Sequence, residues 1–423
     1  MKRSIKRYFG AASILLISSG AVIGCGQGNT SGGNHASNSG EEKTVTLKLG
    51  MWSSSPAEKQ LVEKQVKAFE KKNPNIKVNL QVITGDYLQA LQPMLASHTA
   101  PDVFYVDSSY APTLEASGAL MPLDKYIKQD HVNTSDFSPA LLKAFQWKGV
   151  TYGLPKDMNT MALEYNKSMF AKAGIQSPPK TWNEFEQDAA KLKAKGMTPL
   201  SMPIDVARYY PFVKDFGGSY YDVNNDKATF TDKANVPGLQ FFIDNFKQKN
   251  FVQPKDLGGD WAGIPFAQGK VAMVLEGAWL IPFMQQTAPK LDYGVADLPS
   301  ANGQDYNMTY TVSYSMAKST QHPDQAAKLL FYLTGPEALK MTAESGLAIP
   351  SRTSVQGEFL KKYPNYKAFV DGVKHAVPYQ FGTLGQEFVD AINKATEAGI
   401  LQNQSPANVL SQAKQTLMSQ QAQ

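Results

Sequence analysis

The chain has 423 residues, 42% of them apolar and 19% charged, with 42 Lys+Arg against 37 Asp+Glu and a single cysteine. That composition excludes a disordered polymer, and one cysteine excludes an intramolecular disulfide framework, a Cys-based zinc site and an iron–sulfur cluster. The formal charge of +5 leaves nucleic-acid or membrane-surface affinity open until the charges are located.

Residues 1–7 carry four cations (Lys2, Arg3, Lys6, Arg7) and no acid, and residues 8–24 carry no charge. A basic start, a short apolar run through Ile14-Leu15-Leu16-Ile17 and then small residues form the layout of a secretory signal. The uncharged run is shorter than the roughly 20 apolar residues that span a bilayer. It ends Val22-Ile23-Gly24-Cys25, which resembles a bacterial lipobox. The resemblance implies cleavage after residue 24 and a diacylglycerol on Cys25, which would anchor the remainder of the chain to a membrane. Residues 25–43 are Gly, Ser and Asn with late charges, a composition that predicts a flexible tether. Loss of residues 1–24 leaves 38 basic residues against 37 acidic, and the electrostatic case for a nucleic-acid partner disappears.

From Thr44 the pattern alternates strand and helix. Val45, Leu47 and Leu49 alternate with polar neighbours as in a half-buried strand. Val62, Val66 and Phe69 then recur at helical spacing after Pro56, and the helix stops before Pro74. Ile76, Val78, Leu80 and Val82 predict a second strand, Leu88, Leu91 and Leu95 a second helix, and residues 103–107 a buried strand ending in a carboxylate. This β-α-β-α-β order argues for a mainly parallel α/β sheet. Later, Thr181 to Glu184 has the form of a capping box, a helix is expected around 326–333, and Pro406 opens the last one.

Motifs for common chemistries are missing. The five histidines are scattered without paired ligand spacing, which gives no metal site. No Gly-x-Ser-x-Gly elbow or phosphate loop appears, so no cofactor is implied. Two carboxylates suffice for a glycosidase, and their presence in a chain of this size decides nothing.

Several segments carry a family resemblance in concert: Ala100-Pro101-Asp102-Val103, Leu120-Met121-Pro122-Leu123, Tyr152-Gly153-Leu154-Pro155, Leu163-Glu164-Tyr165-Asn166-Lys167, Pro178-Pro179-Lys180-Thr181-Trp182, Phe266-Ala267-Gln268-Gly269-Lys270, Glu276-Gly277-Ala278-Trp279 and Ile349-Pro350-Ser351-Arg352. In this order and behind a lipobox, the chain resembles the carbohydrate-binding, family 1 extracellular solute-binding proteins of bacterial ABC importers, of the maltose-binding-protein-like kind. The resemblance implies an α/β, two-lobed periplasmic-binding-protein-like fold (type II), with a ligand cleft between two discontinuous lobes. Lobe 1 would take residues 44–155 plus about 306–349, and lobe 2 about 156–305 plus 350–423. Crossovers would fall near 153–159, 308–313 and 347–352. The implied partners are a sugar and membrane permease subunits, and the class is usually monomeric.

A sugar offers C–H-rich faces to aromatic rings and edge hydroxyls to carboxylates, whose charge-assisted hydrogen bonds are the stronger ones. Trp279 matches the family's sugar-stacking position. Trp52, at the end of the first strand, and Trp261, on a glycine-rich loop, are each read as either stacking platform or packing residue. Trp147 and Trp182 are read as packing residues. Asp107 and Asp157 are candidate hydroxyl acceptors. Glu276 either binds a hydroxyl or pairs with a lysine across the hinge. Tyr110, Arg208, Tyr310 and Tyr379 complete the candidate set. Residues 204–221 do not match the family pattern and are read as a specificity segment. Two other readings stay open: a surface-anchored glycoside hydrolase, and the same fold with a non-sugar ligand such as a peptide, metal or polyamine.

Overall fold

The computed structural model describes residues 44–421, apart from 54, 223, 224, 226, 302, 304 and 305. The expected signal, the lipidated Cys25 and the tether lie outside the described residues.

Two sheets organise the fold. The first has five strands in the order Ile76–Val82, Val45–Met51, Val103–Asp107, Val312–Met316, Gly153–Pro155. Its first three strands run parallel. Val312–Met316 runs antiparallel to both of its neighbours, so the sheet is mixed where the chain comes back from the second lobe. Val103-Phe104-Tyr105-Val106 is buried at every position. A strand covered on both faces needs such an unbroken apolar run. The helix Pro56–Lys72 starts on Ser55, whose hydroxyl accepts from Glu58 N, and lays Val62, Val66 and Phe69 onto this core.

The second sheet has eight strands. Its path runs Phe251–Val252, Thr198–Ser201, Val271–Gly277, Asp157–Asn166, Asn307–Tyr310, Ala376–Pro378, and Tyr293–Ala296 and Ile349–Pro350 also pair with the long strand Asp157–Asn166. Its core is rich in rings: Phe212, Phe242 and Phe251 lie 5.9–6.0 Å apart, centroid to centroid, and Tyr209 stacks on Phe242 at 4.5 Å. Trp182 opens a helix there and donates its indole N–H to Asp215 at 2.9 Å, the packing role its sequence position suggests.

The chain passes between the sheets at Lys156, at Thr311 and between Ser345 and Ile349. The expected lobe boundary puts the return near residue 306. Instead Asn307–Tyr310 pairs with Asp157–Asn166, so these four residues belong to the second sheet. The crossovers are laced together. Lys156 N donates to Val312 O at 2.8 Å, Thr311 Oγ1 to Asp157 O at 2.7 Å, and Ser351 Oγ to Pro155 O at 2.6 Å. Among the described residues no helix is long and apolar enough to cross a membrane.

One core residue is out of character. Glu115, on the short helix Ala111–Ala116, is 3% exposed, and neither of its carboxylate oxygens has a partner among the described residues. Burial alone pushes its pKa up to about 8. Between the unfolded value near 4.5 and 8 the native state holds a proton that the unfolded chain has released. Stability should therefore fall as pH rises through that window and level off above it. Urea unfolding of Glu115→Gln across pH 5–9 should show this slope flattened; an unchanged slope would assign it to other groups.

Candidate functional site

A cavity of about 390 Å³ lies between the lobes, within the usual range for small-ligand pockets. Trp52, Glu58, Tyr105 and Asp107 line it from the first lobe. Lys156 and Asp157 come from the crossover, and Asn159, Trp279 and Tyr310 from the second.

Trp52 comes directly after the first strand. Its ring stands edge-on to Tyr87 (4.8 Å, 81°) and Tyr105 (5.0 Å, 77°), which fixes it as part of an aromatic wall. Trp52 packs as one of its two readings has it, and it also lines the cavity. Asp107 ends the central strand, where open α/β sheets place ligand groups. Its Oδ1 accepts from Ser109 N at 2.8 Å and Ser109 Oγ at 2.6 Å. Among the described residues no donor reaches Oδ2. Burial raises the Asp107 pKa, opposed by the Ser109 bonds, with a further upward push from Asp157.

Asp157 lies on the first crossover and lines the cavity, with its oxygens engaged by protein donors. Its Oδ1 accepts from Val312 N at 3.0 Å and its Oδ2 from Lys156 Nζ at 2.6 Å, so both oxygens pin the crossovers. It lines the cavity as a hinge pin. Lys156, absent from the candidate set, is the cation of this wall. Its Nζ also lies 3.8 Å from Glu58 and 4.6 Å from the centre of the Tyr105 ring. Burial works against its charge, but Asp157 and Glu58 more than compensate and raise its pKa.

Trp279 sits just beyond the strand Val271–Gly277 and folds back over it. The turn depends on Gly277, because a Cβ there would come within 2.3 Å of the Trp279 ring. The indole Nε1 donates to Glu276 Oε2 at 2.9 Å. The same oxygen accepts from Arg208 at 3.0 Å. The Arg208 guanidinium lies over Trp279, 5.2 Å from the ring centre, and 5.9 Å from that of Tyr310. Trp279 and Tyr310 meet edge-on at 5.6 Å. The expected lysine partner across the hinge is not what Glu276 meets: its cation is Arg208, from the same lobe. Behind it Glu164 Oε2 accepts from Glu276 N, and burial followed by repulsion from Glu276 raises the Glu164 pKa well above its usual value.

Three candidates stand elsewhere. Trp261 packs edge-on to Phe283 at 4.8 Å, folded over Gly263 and away from the cavity. A glycine-rich loop suggests a ligand contact; the glycine instead makes room for the ring. Tyr110 precedes the helix Ala111–Ala116 and packs on the first-lobe core. Tyr379 packs behind Tyr310 at 5.5 Å and supports that ring. A larger cavity, about 1050 Å³, opens beside Ala376–Pro378, lined also by Ser138, Tyr210 and Gln380. None of the ten ligand candidates lines it. Among the described residues no three of His, Cys, Asp and Glu are grouped to hold a metal ion.

Residues 52–340 match the model for the bacterial extracellular solute-binding proteins. The chain belongs to this family. A putative binding protein of Brucella abortus is 30% identical over 64% of this chain and 67% of its own length. The maltotriose-binding protein of Pyrococcus abyssi is 24% identical over 76% of this chain and 70% of its own. Among solved structures, an ABC substrate-binding protein of Listeria monocytogenes in complex with cycloalternan superposes with a TM-score of 0.77 at 23% identity, covering 90% of this chain and 100% of that one. The fold is the two-lobed type II architecture of such proteins, with the cleft between lobes.

The pinning role of Asp157 has a measurable consequence. Asp157→Ala removes the acceptor of a half-buried N–H and the nearest partner of Lys156, at a cost of about 1–3 kcal/mol. Denaturant unfolding should show that loss, and an unchanged midpoint would refute the hinge role.

Proposed function

We propose that this solute-binding protein captures a carbohydrate between its lobes and delivers it to the permease of an ABC importer, held outside the cytoplasmic membrane by lipid on Cys25. It would act as a monomer with no cofactor. The observation that carries the reading is the wall of the interlobe cavity: Trp279, Tyr310 and Trp52 beside the open oxygen of Asp107. Rings match the C–H faces of a pyranose, and a carboxylate oxygen matches a hydroxyl at its edge. The maltotriose-binding relative supports the same ligand class. Sugar touching both lobes would favour the closed arrangement, the state a permease can recognise.

A hydrolase is the less favoured reading. It needs two carboxyl groups free to act on either side of a glycosidic bond. Both Asp157 oxygens and Glu276 Oε2 are already held by protein donors.

Calorimetry of the mature domain against mono- and oligosaccharides tests the proposal. A sugar at a hundred times its Kd should stabilise the fold by about 2.7 kcal/mol. Trp279→Ala should weaken that binding by about 1.5–3 kcal/mol, roughly tenfold to 150-fold, the worth of covering one large ring. Full retention of affinity would sink the stacking assignment, and release of new reducing ends would favour the hydrolase.

A further inference from the structure

The wall of the cavity is two layers deep. Trp279 and Tyr310 form the surface that a ligand would meet, whereas Arg208 and Glu276 do not line the cavity. We propose that Arg208 is a positioning residue for the stacking indole: it backs one face of Trp279 and, through Glu276, locks the ring so that the opposite face is presented to the ligand. This rests on the carbohydrate reading of the cavity.

The indole is held at three points. Its N–H reaches Glu276 Oε2 at 2.9 Å, its face meets the Arg208 guanidinium at 5.2 Å, and Tyr310 abuts it edge-on. A tryptophan has two side-chain torsions, and turning either would break the Glu276 bond or leave the cation uncovered. The guanidinium is committed as well. One terminal nitrogen is bonded to Glu276, the other lies 3.5 Å from Ala207 O, and Nε, though unpartnered among the described residues, is buried. Arg208 therefore has little to offer a ligand hydroxyl directly.

The helix that supplies it, Val206–Asp215, is held by its own cap. Asp205 Oδ1 accepts from Ala207 N at 3.0 Å, and Asn393 Oδ1 accepts from Val206 N at 2.7 Å. Tyr310 OH donates to Ala207 O, tying the second ring of the wall to the first turn of that helix. Residues 204–221, the segment that departs from the family pattern, would then influence ligand choice through the angle of the platform.

The test uses 5-fluorotryptophan-labelled mature protein, with the Trp279 resonance assigned from Trp279→Phe, and titration with a sugar that binds and with its singly deoxygenated analogues. In Arg208→Met the Trp279 signal should shift and broaden. Affinity should fall about tenfold or more, by a similar factor for every analogue, and Arg208→Lys should recover part of it. An unchanged Trp279 signal with unchanged affinity would overturn the proposal. So would a loss that vanishes for the one analogue lacking a particular hydroxyl, since that marks direct contact between Arg208 and sugar. Should Arg208→Met fail to fold because it strands the Glu276 carboxylate, Arg208→Met/Glu276→Gln removes the stranded charge and meets the same criteria. If no sugar binds the wild-type protein while the Trp279 signal still responds to Arg208→Met, the carbohydrate reading falls and the positioning of the ring stands.

Discussion

Glu276 is 1% exposed, and a carboxylate that deep must be paired or give up its charge. It is paired with Arg208, and the indole N–H of Trp279 shares the same oxygen. That one requirement shapes much of the site. The pair needs Arg208 to reach in from the helix Val206–Asp215, which ties residues 204–221 to the cavity wall. It needs Trp279 to fold back across Gly277. Glu164 next door feels Arg208 only weakly against burial and the repulsion of Glu276, and its carboxyl is pushed toward its neutral form. A buried pair of this kind is poor evidence for stability, and its better-attested use is to fix one arrangement among several.

The first lobe handles its charge at the crossover. Lys156 sits between Asp157 and Glu58 over the Tyr105 ring, so the cation that enters the cavity wall arrives already neutralised. Asp157 holds Val312 with its other oxygen, which makes the hinge and the floor of the cavity the same structure. A ligand placed between Asp107 and Trp279 would bear on residues from both sides of that hinge. Coupling of binding to lobe position needs no further device.

Alternation and helical spacing are enough to find the first three strands of the first sheet and the helices between them, but not Gly153–Pro155 and Val312–Met316, which are short and join the sheet only as the chain crosses between lobes. Trp279 is legible through its motif. Harder to see are contacts between residues far apart in the chain. Arg208 and Glu276 are 68 positions apart, and nothing local in either segment says they meet. Lys156 is easily passed over beside the more suggestive Asp157, although a basic residue on a crossover that lines the cleft is a usable signal. Glu164, a lone acid in the run Met161-Ala162-Leu163-Glu164-Tyr165, can be flagged on composition alone. Trp261 cannot be decided from sequence, because a glycine beside a ring serves a ligand contact and tight packing equally well.

We place the ligand in the smaller interlobe cavity, with Trp279 at its wall. A crystal structure of the mature domain with a bound saccharide would show a pyranose face against Trp279, on the side away from Arg208, with a hydroxyl in hydrogen-bond reach of Asp107 Oδ2. Saccharide lodged instead in the larger cavity beside Ser138, Tyr210 and Gln380, with Trp279 untouched, would contradict it.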